Sequence, residues 1–136
     1  MDLSDCLVNS RAWRDGKLVD VQVSSEEIRA ALQEHELIWL DLFNPTEAVL
    51  LDLAKILGLS ATAVEDMLAP FERPKVTRHG DSLFFTVYGT KLDATGGLQT
   101  QRISAIQYQS ALITVRLDDH FEVSALIQRW EETASL

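Results

Sequence analysis

Cysteine is almost absent from the sequence. Cys6 is the single cysteine among 136 residues, which excludes a disulfide within the chain and a zinc site built on cysteine thiolates. His35, His79 and His120 are scattered without the spacing of metal ligands. A half-buried structural role for Cys6 is therefore favoured over a nucleophile that acts with a distant histidine.

Basic residues and long apolar runs are also scarce. Twelve Lys and Arg stand against twenty-one Asp and Glu, for a net charge of −9, so the basic surface that nucleic-acid binding needs is missing. The negative charge is compatible with attracting cations, although it also serves solubility alone. No apolar run approaches the roughly 20 residues of a membrane helix, and the N-terminus lacks the layout of a signal peptide. We expect a soluble, cytosolic domain.

The common catalytic sequence motifs are missing too. Gly96-Gly97 is not followed by the helix of a phosphate-binding loop, and there is no Gly-x-Ser-x-Gly nucleophile elbow. His79 adjoins Gly80-Asp81, a turn signal, and we interpret it as a solvated turn histidine rather than a general base. The sequence therefore predicts that the protein is not an enzyme.

The order of predicted elements is that of one mixed domain, which we place over residues 1–136 because this length suits a single core. A hairpin is predicted over residues 7–23 with its turn at Asp15-Gly16. A helix with a capping box at Ser24 and Glu27 follows. The apolar run 37–42 predicts a strand buried near the middle of a sheet.

Two short helices are predicted next. Asn44 is the expected N-cap of the first, with Glu47 completing its capping box, and Gly58 ends it. Ser60 caps the second helix, which Pro70 ends because proline has no amide hydrogen.

The last third of the chain predicts strands and a final helix. Residues 82–91, 101–109 and 111–117 are expected to form a three-strand meander. Asp119 is the predicted cap of the helix, whose buried residues are Phe121, Val123, Leu126, Ile127 and Trp130. The whole order predicts an α/β (α+β) domain, a three-layer α/β/α sandwich with a mixed, largely antiparallel sheet.

Glu65 and Asp66 are adjacent acids on the second short helix. They lie beside its apolar face, which is formed by Val64, Met67 and Leu68. Such a pair is most often a solvated helix face. No other group in the chain has a spacing that suggests metal binding or catalysis, so the pair is the candidate site.

The sequence around this pair resembles the N-terminal cytoplasmic domain of the CorA family of divalent-cation transporters. The resemblance extends over about residues 37–130, and its most distinctive part is the order Glu-Asp, short gap, Arg-Pro-Lys. The segments that carry it are Trp39-Leu40-Asp41-Leu42, Asn44-Pro45-Thr46-Glu47, Gly58-Leu59, Glu65-Asp66, Arg73-Pro74-Lys75-Val76, Leu83-Phe84-Phe85 and Leu112-Ile113-Thr114-Val115-Arg116.

The resemblance implies a regulatory domain on the cytoplasmic side of the inner membrane. In the family this domain belongs to a homopentameric channel for Mg²⁺ that also passes Co²⁺. A stalk helix leads from it to two membrane helices with a Gly-Met-Asn signature. None of these parts occurs in residues 1–136, which predicts a truncated domain that cannot conduct ions alone.

A regulatory metal site is also implied. In the family, Mg²⁺ bound between neighbouring cytoplasmic domains holds the channel closed. The sensing carboxylate corresponds to Asp66, and Glu65 contributes to a neighbouring site. Their partners come largely from the stalk helix of an adjacent subunit, so we expect weak Mg²⁺ binding in isolation. Glu72 stands where relatives often carry a neutral residue, and Arg73 and Lys75 are interpreted as an exposed basic turn pairing with Glu72 or Asp66.

Two alternatives stay open at the level of sequence. Zinc-transporting relatives share the fold, so the cation is Mg²⁺, Co²⁺ or Zn²⁺. A free-standing soluble interaction module without an ion role is the second alternative. The gene beyond residue 136 distinguishes them: a long helix and two hydrophobic segments with Gly-Met-Asn support a transporter, and a stop codon contradicts one.

Overall fold

A computed structural model describes residues 3–19, 28–34, 37–119 and 122–133. The strands in these ranges are β1 (Leu7–Arg14), β2 (Lys17–Val19), β3 (Leu37–Phe43), β4 (Lys75–His79), β5 (Ser82–Leu92), β6 (Leu98–Tyr108) and β7 (Ala111–Arg116). The helices are α1 (Ile28–Glu34), α2 (Glu47–Leu57), α3 (Ala61–Leu68) and α4 (Ser124–Glu132).

The described strands form one seven-stranded sheet in the order β2-β1-β3-β7-β6-β5-β4. Neighbouring strands are antiparallel, except that β3 and β7 run parallel with Leu40 opposite Ile113. β3 is buried from Ile38 through Leu42 because helices cover both of its faces. The predictions of a mixed, largely antiparallel sheet and of a buried strand at 37–42 are confirmed.

Helices cover the sheet on two sides. On the first, here called the three-helix face, α1, α2 and α3 share a core with the sheet that includes Ile28, Leu53, Met67 and Phe84. On the second, the α4 face, Val123 and Ile127 pack with Trp39. The predicted three-layer α/β/α arrangement is therefore confirmed.

A stack of three tryptophans anchors α4. The ring of Trp130 lies 4.6 Å from that of Trp13 and 5.5 Å from that of Trp39, centroid to centroid. The Arg11 guanidinium donates to the Glu131 carboxylate at 2.7 Å beside this stack. Aromatic stacking adds to the area that the helix buries, so Trp130 is its principal anchor.

The centre of the sheet holds a buried carboxylate, Asp41, which is 1% exposed. Arg116 donates to it at 2.7 Å, Thr114 at 2.7 Å and Asn9 at 3.0 Å. The indole N–H of Trp39 donates to the Thr114 hydroxyl at 3.0 Å. A buried charge is tolerated when it is paired and hydrogen-bonded, and this network joins β1, β3 and β7.

The predicted start of α2 is wrong by two residues. Thr46 is the N-cap, and its hydroxyl accepts from the Val49 amide at 3.3 Å. Asn44 instead has φ of 46°, and its backbone N–H donates to the Arg116 carbonyl at 2.7 Å. Glu47 is consequently the first helical residue and completes no capping box with Asn44.

The other signals around α2 and α3 are confirmed. Gly58 ends α2 in the left-handed conformation, with φ of 74°, which glycine adopts without a steric penalty. The Ser60 hydroxyl accepts from the Ala63 amide at 3.3 Å and caps α3. α3 ends at Leu68, before Pro70.

The C-terminal predictions need correction. α4 begins at Ser124 with Val123 at the N-cap position and without a side-chain cap, so Asp119 does not cap it. Leu126 is 49% exposed and is not inside. The predicted three-strand meander begins one strand earlier, because Lys75–His79 pairs with β5 as β4.

Some predictions lie outside the described residues. These are the capping box at Ser24 and Glu27, the hairpin positions 20–23, and Phe121. The described part of the hairpin has its turn at Asp15-Gly16, as predicted. Cys6 is buried rather than half-buried.

Candidate metal-binding site

α3 presents Asp66 to the end strand of the sheet. Val64 and Met67 are buried in the core of the three-helix face, which fixes the orientation of this short helix. Asp66 then points towards β4 with its side chain 22% exposed, whereas Glu65 is exposed to solvent. Successive helical residues are about 100° apart around the axis, and the two acids therefore face different surroundings.

Asp66 belongs to a cluster of ionisable side chains with Glu72, Lys75 and His79, here called the Asp66 cluster. Oδ2 of Asp66 lies 3.0 Å from Nε2 of His79, and Oδ1 of Asp66 lies 3.7 Å from Nζ of Lys75. The same Nζ lies 2.9 Å from Oε2 of Glu72. Lys75 and His79 are four residues apart on β4, so their side chains share its α3-facing side.

The interaction with Glu72 holds Lys75 in its charged form. The hydrogen bond to Glu72 has the largest effect and raises the pKa of Lys75 above its ordinary value. Burial opposes it with the next largest effect, and the negative charges of Asp66 and Glu72 each add a smaller increase. The ammonium also lies 5.5 Å from the centroid of the Phe84 ring. The predicted pairing of Lys75 with Glu72 or Asp66 is confirmed, and the ammonium contacts both carboxylates.

His79 is not the solvated turn histidine that the sequence suggested. It ends β4, contacts Asp66 and lies edge-on to Phe84 with ring centroids 6.3 Å apart. The contact joins a helix to a strand thirteen residues away. No sequence spacing signals such a contact, because it depends on how α3 packs over the sheet.

Hydrogen bonds to the main chain fix the loop between α3 and β4. Arg102 of β6 donates to the carbonyls of Met67 and Ala69 at the end of α3, where cations are favourable. The Tyr88 hydroxyl donates to the Glu72 carbonyl. The position of Glu72 beside Lys75 is thus supported by the neighbouring strands.

The donor chemistry of the Asp66 cluster fits a hydrated Mg²⁺. This ion prefers oxygen ligands, keeps several waters and needs only one or two carboxylates, which Asp66 and Glu72 supply. Within residues 3–19, 28–34, 37–119 and 122–133, no group of three or more His, Cys, Asp or Glu side chains is arranged to hold a metal ion. Asp66 and Glu72 are the residues that would hold such an ion, whereas Glu65 makes no ion pair with any described residue.

A sequence model of the family described as CorA-like Mg²⁺ transporter protein matches residues 34–135. The match covers most of the chain, which therefore belongs to the CorA-like family. Among curated protein sequences, none matches this one significantly.

Solved structures show the same fold. The soluble domain of CorA from Methanocaldococcus jannaschii superposes with a TM-score of 0.63 at 18% identity, covering 96% of this chain and 50% of that one. The ZntB cytoplasmic domain from Vibrio parahaemolyticus gives 0.68 at 14% identity, with coverages of 93% and 50%. Full-length CmaX gives 0.67 at 21% identity, with coverages of 93% and 39%.

This chain therefore spans half, or less, of the length of these structures. It matches half of the chain of the CorA soluble domain from Methanocaldococcus jannaschii. None of the helices in the described ranges has the length and apolar character needed to cross a membrane.

Proposed function

We propose that residues 1–136 are one cytoplasmic regulatory domain of a CorA-type transporter for divalent cations, and that Asp66 senses Mg²⁺. The proposal includes a location on the inner side of the cell membrane, assembly as a homopentamer and transport of Mg²⁺ and Co²⁺ by the full-length protein. The observation that carries it is the partly exposed Asp66 carboxylate, which contacts Lys75 and His79 at the end of the sheet of a CorA-like domain. The domain itself is not an enzyme in this proposal.

Partial coordination suits such a sensor. Asp66 supplies one carboxylate to a hydrated ion, and a neighbouring copy supplies further oxygens in the proposed assembly. Glu65 faces solvent, and in this proposal it contributes to a neighbouring site. Because the oxygen ligands of one site come from two different copies of the domain, a bound ion stabilises one arrangement of the copies over another.

The test is a Mg²⁺ titration of the purified full-length gene product, in which the melting temperature is measured at each Mg²⁺ concentration. At a Mg²⁺ concentration ten times Kd we expect a gain of about 1.4 kcal/mol in the free energy of unfolding. Asp66→Asn should remove this gain. Asp52→Asn is the matched control, since Asp52 is a largely exposed carboxylate whose ion pair, with Lys55, lies on α2. If Asp66→Asn and wild type respond equally, Asp66 is not the sensor.

One observation favours zinc as a second candidate. His79 brings an imidazole nitrogen to 3.0 Å from Asp66, and zinc accepts mixed nitrogen and oxygen ligands. The same titration with Zn²⁺ separates the candidates. In the Mg²⁺ proposal, His79→Gln leaves the response to Mg²⁺ within about threefold in Kd, because Mg²⁺ has little preference for imidazole. The Mg²⁺ proposal is contradicted if wild type responds to Zn²⁺ but not to Mg²⁺ and if His79→Gln loses that response.

A further inference from the structure

We propose that Lys75 is a built-in competitor for the divalent cation, and that Glu72 is the second carboxylate of the same site. The inference rests on the proposed function, since it concerns how tightly the Asp66 cluster binds its cation. It assigns roles to two residues for which the sequence indicated only local pairing.

The first observation is the position of the Lys75 ammonium. Its Nζ contacts Glu72 at 2.9 Å and Asp66 at 3.7 Å, which is the place of a cation shared by two carboxylates. A divalent ion that uses both carboxylates must therefore displace the ammonium. Lys75 is 32% exposed and has a long flexible side chain, so it can turn outwards without unfolding β4.

The second observation is two buried hydroxyl groups on β5 and β6, in register with Lys75 of β4. Thr86 of β5 lies between Lys75 of β4 and Ser104 of β6, and it is the cross-strand partner of both. The three side chains therefore form a row on one face of the sheet. Thr86 and Ser104 are buried, and neither hydroxyl finds a hydrogen-bond partner in the described part of the chain. Buried polar groups are almost always hydrogen-bonded.

These hydroxyls suit the water shell of a hydrated cation. Mg²⁺ keeps most of its waters, and those waters offer donors to the hydroxyl oxygens of Thr86 and Ser104. The Lys75 ammonium contacts Glu72 and Asp66 instead, and in the described part of the chain it donates to neither hydroxyl. The row therefore provides polar groups that hydrated Mg²⁺ can satisfy and Lys75 does not.

Competition by Lys75 lowers the affinity of the site. While the ammonium is in place, it neutralises part of the charge that would attract Mg²⁺, and it repels the ion once the ion binds. The consequence is a site that fills only at higher Mg²⁺ concentrations. Without the lysine, the two carboxylates would repel each other in the ion-free protein and be joined by the ion.

The experiment is the Mg²⁺ titration of the full-length gene product described above, with Lys75→Gln. We expect Kd to fall roughly tenfold, because one positive charge is removed within a few ångströms of a divalent ion. Lys75→Arg keeps the charge and should stay within about threefold of wild type. Lys91→Gln is the matched control: Lys91 is exposed on β5, and its loss changes the net charge equally, so its Kd should equal that of wild type.

The role of Glu72 is tested by a second variant. Glu72→Gln should weaken Mg²⁺ binding by roughly fivefold or more, since one of two carboxylate ligands is lost. Glu72→Gln also tests the proposed site if Lys75→Gln does not fold. An unchanged Kd in Glu72→Gln overturns the assignment of that residue.

The two proposals fail in different ways. If wild type binds Mg²⁺ through Asp66 and Lys75→Gln binds no more tightly, only the competition by Lys75 is overturned. If neither wild type nor Lys75→Gln binds Mg²⁺, the sensing function is overturned as well, and the competition with it. Both proposals are supported if Lys75→Gln binds Mg²⁺ more tightly than wild type and if adding Asp66→Asn to it abolishes the binding.

Discussion

Two carboxylates of the chain, Asp41 and Asp66, are both paired with cationic side chains but in opposite surroundings. Asp41 and Arg116 are sealed at the centre of the sheet, with their charged atoms 2.7 Å apart. Asp66 and Lys75 lie at its end, where water reaches both. Breaking a buried pair is costly, whereas an exposed pair contributes little. Asp41 therefore serves stability, whereas in the proposed function Asp66 exchanges its partner for an ion.

Asp41→Asn should destabilise the protein strongly. The substitution removes the charge that compensates Arg116, and an uncompensated buried charge costs about 3–5 kcal/mol. Urea unfolding followed by circular dichroism measures the loss. Asp52→Asn, which removes an equal charge from an exposed pair, should stay within about 0.5 kcal/mol of wild type. A loss below about 1 kcal/mol for Asp41→Asn would contradict the role assigned to this network.

The sequence identified the site only in part. Glu65 and Asp66 were found because they are adjacent acids within a segment that resembles a known family. His79 was misassigned and Glu72 was predicted only as a pairing partner of the basic turn, although both belong to the Asp66 cluster. Their meeting depends on the packing of α3 over β4 and β5, and neither charge nor spacing along the chain encodes that packing.

Among the secondary-structure elements, local signals located helices better than they located helix starts. Asn44 and Thr46 are both good N-caps, and the choice between them was made by a tertiary contact, the hydrogen bond from the Asn44 amide to the Arg116 carbonyl. β4 was missed as a separate strand because it is short and its residues alternate only weakly. It becomes a strand by pairing with β5.

α4 depends on the tryptophan stack, and Trp130→Ala should loosen it. The loss of a half-buried ring that stacks on two others should cost about 2–3 kcal/mol. Hydrogen exchange should show the faster opening in α4 and much less change in α2 and α3, which pack on the other face. Leu126→Ala is the control on the same helix, because Leu126 is exposed, and it should change stability by less than about 0.5 kcal/mol. Equal effects of the two substitutions would contradict the anchoring role.

For the molecule as a whole, the fold class and the family could be predicted from sequence, and the structure and comparisons confirm both. The order of strands could not be read in this way. The adjacency of β3 and β7, which are separated by about half of the chain, has no local signature. It follows from burying the apolar runs of both strands beneath the same helices.

The net charge of −9 predicts a general response to salt. Raising NaCl shortens the screening length from about 30 Å at 0.01 M to about 3 Å at 1 M, which weakens repulsion among the acidic groups. The melting temperature should therefore rise with NaCl, and equally in wild type and Asp66→Asn. The response to Mg²⁺ should exceed that to NaCl of equal ionic strength in wild type alone. A rise with NaCl that Asp66→Asn abolishes would contradict this separation.

The parallel pairing of β3 with β7 also bears on how the chain is made. β3 ends at Phe43, and the strand that completes its pairing ends at Arg116. On the ribosome, the hairpin β1–β2 and the meander β4–β7 can each form from neighbouring segments, but β3 keeps one edge unpaired until β7 has emerged. Such long-range pairings close slowly and leave apolar edges exposed in the meantime. The nascent first half of this protein is therefore the stage at which a chaperone is needed most.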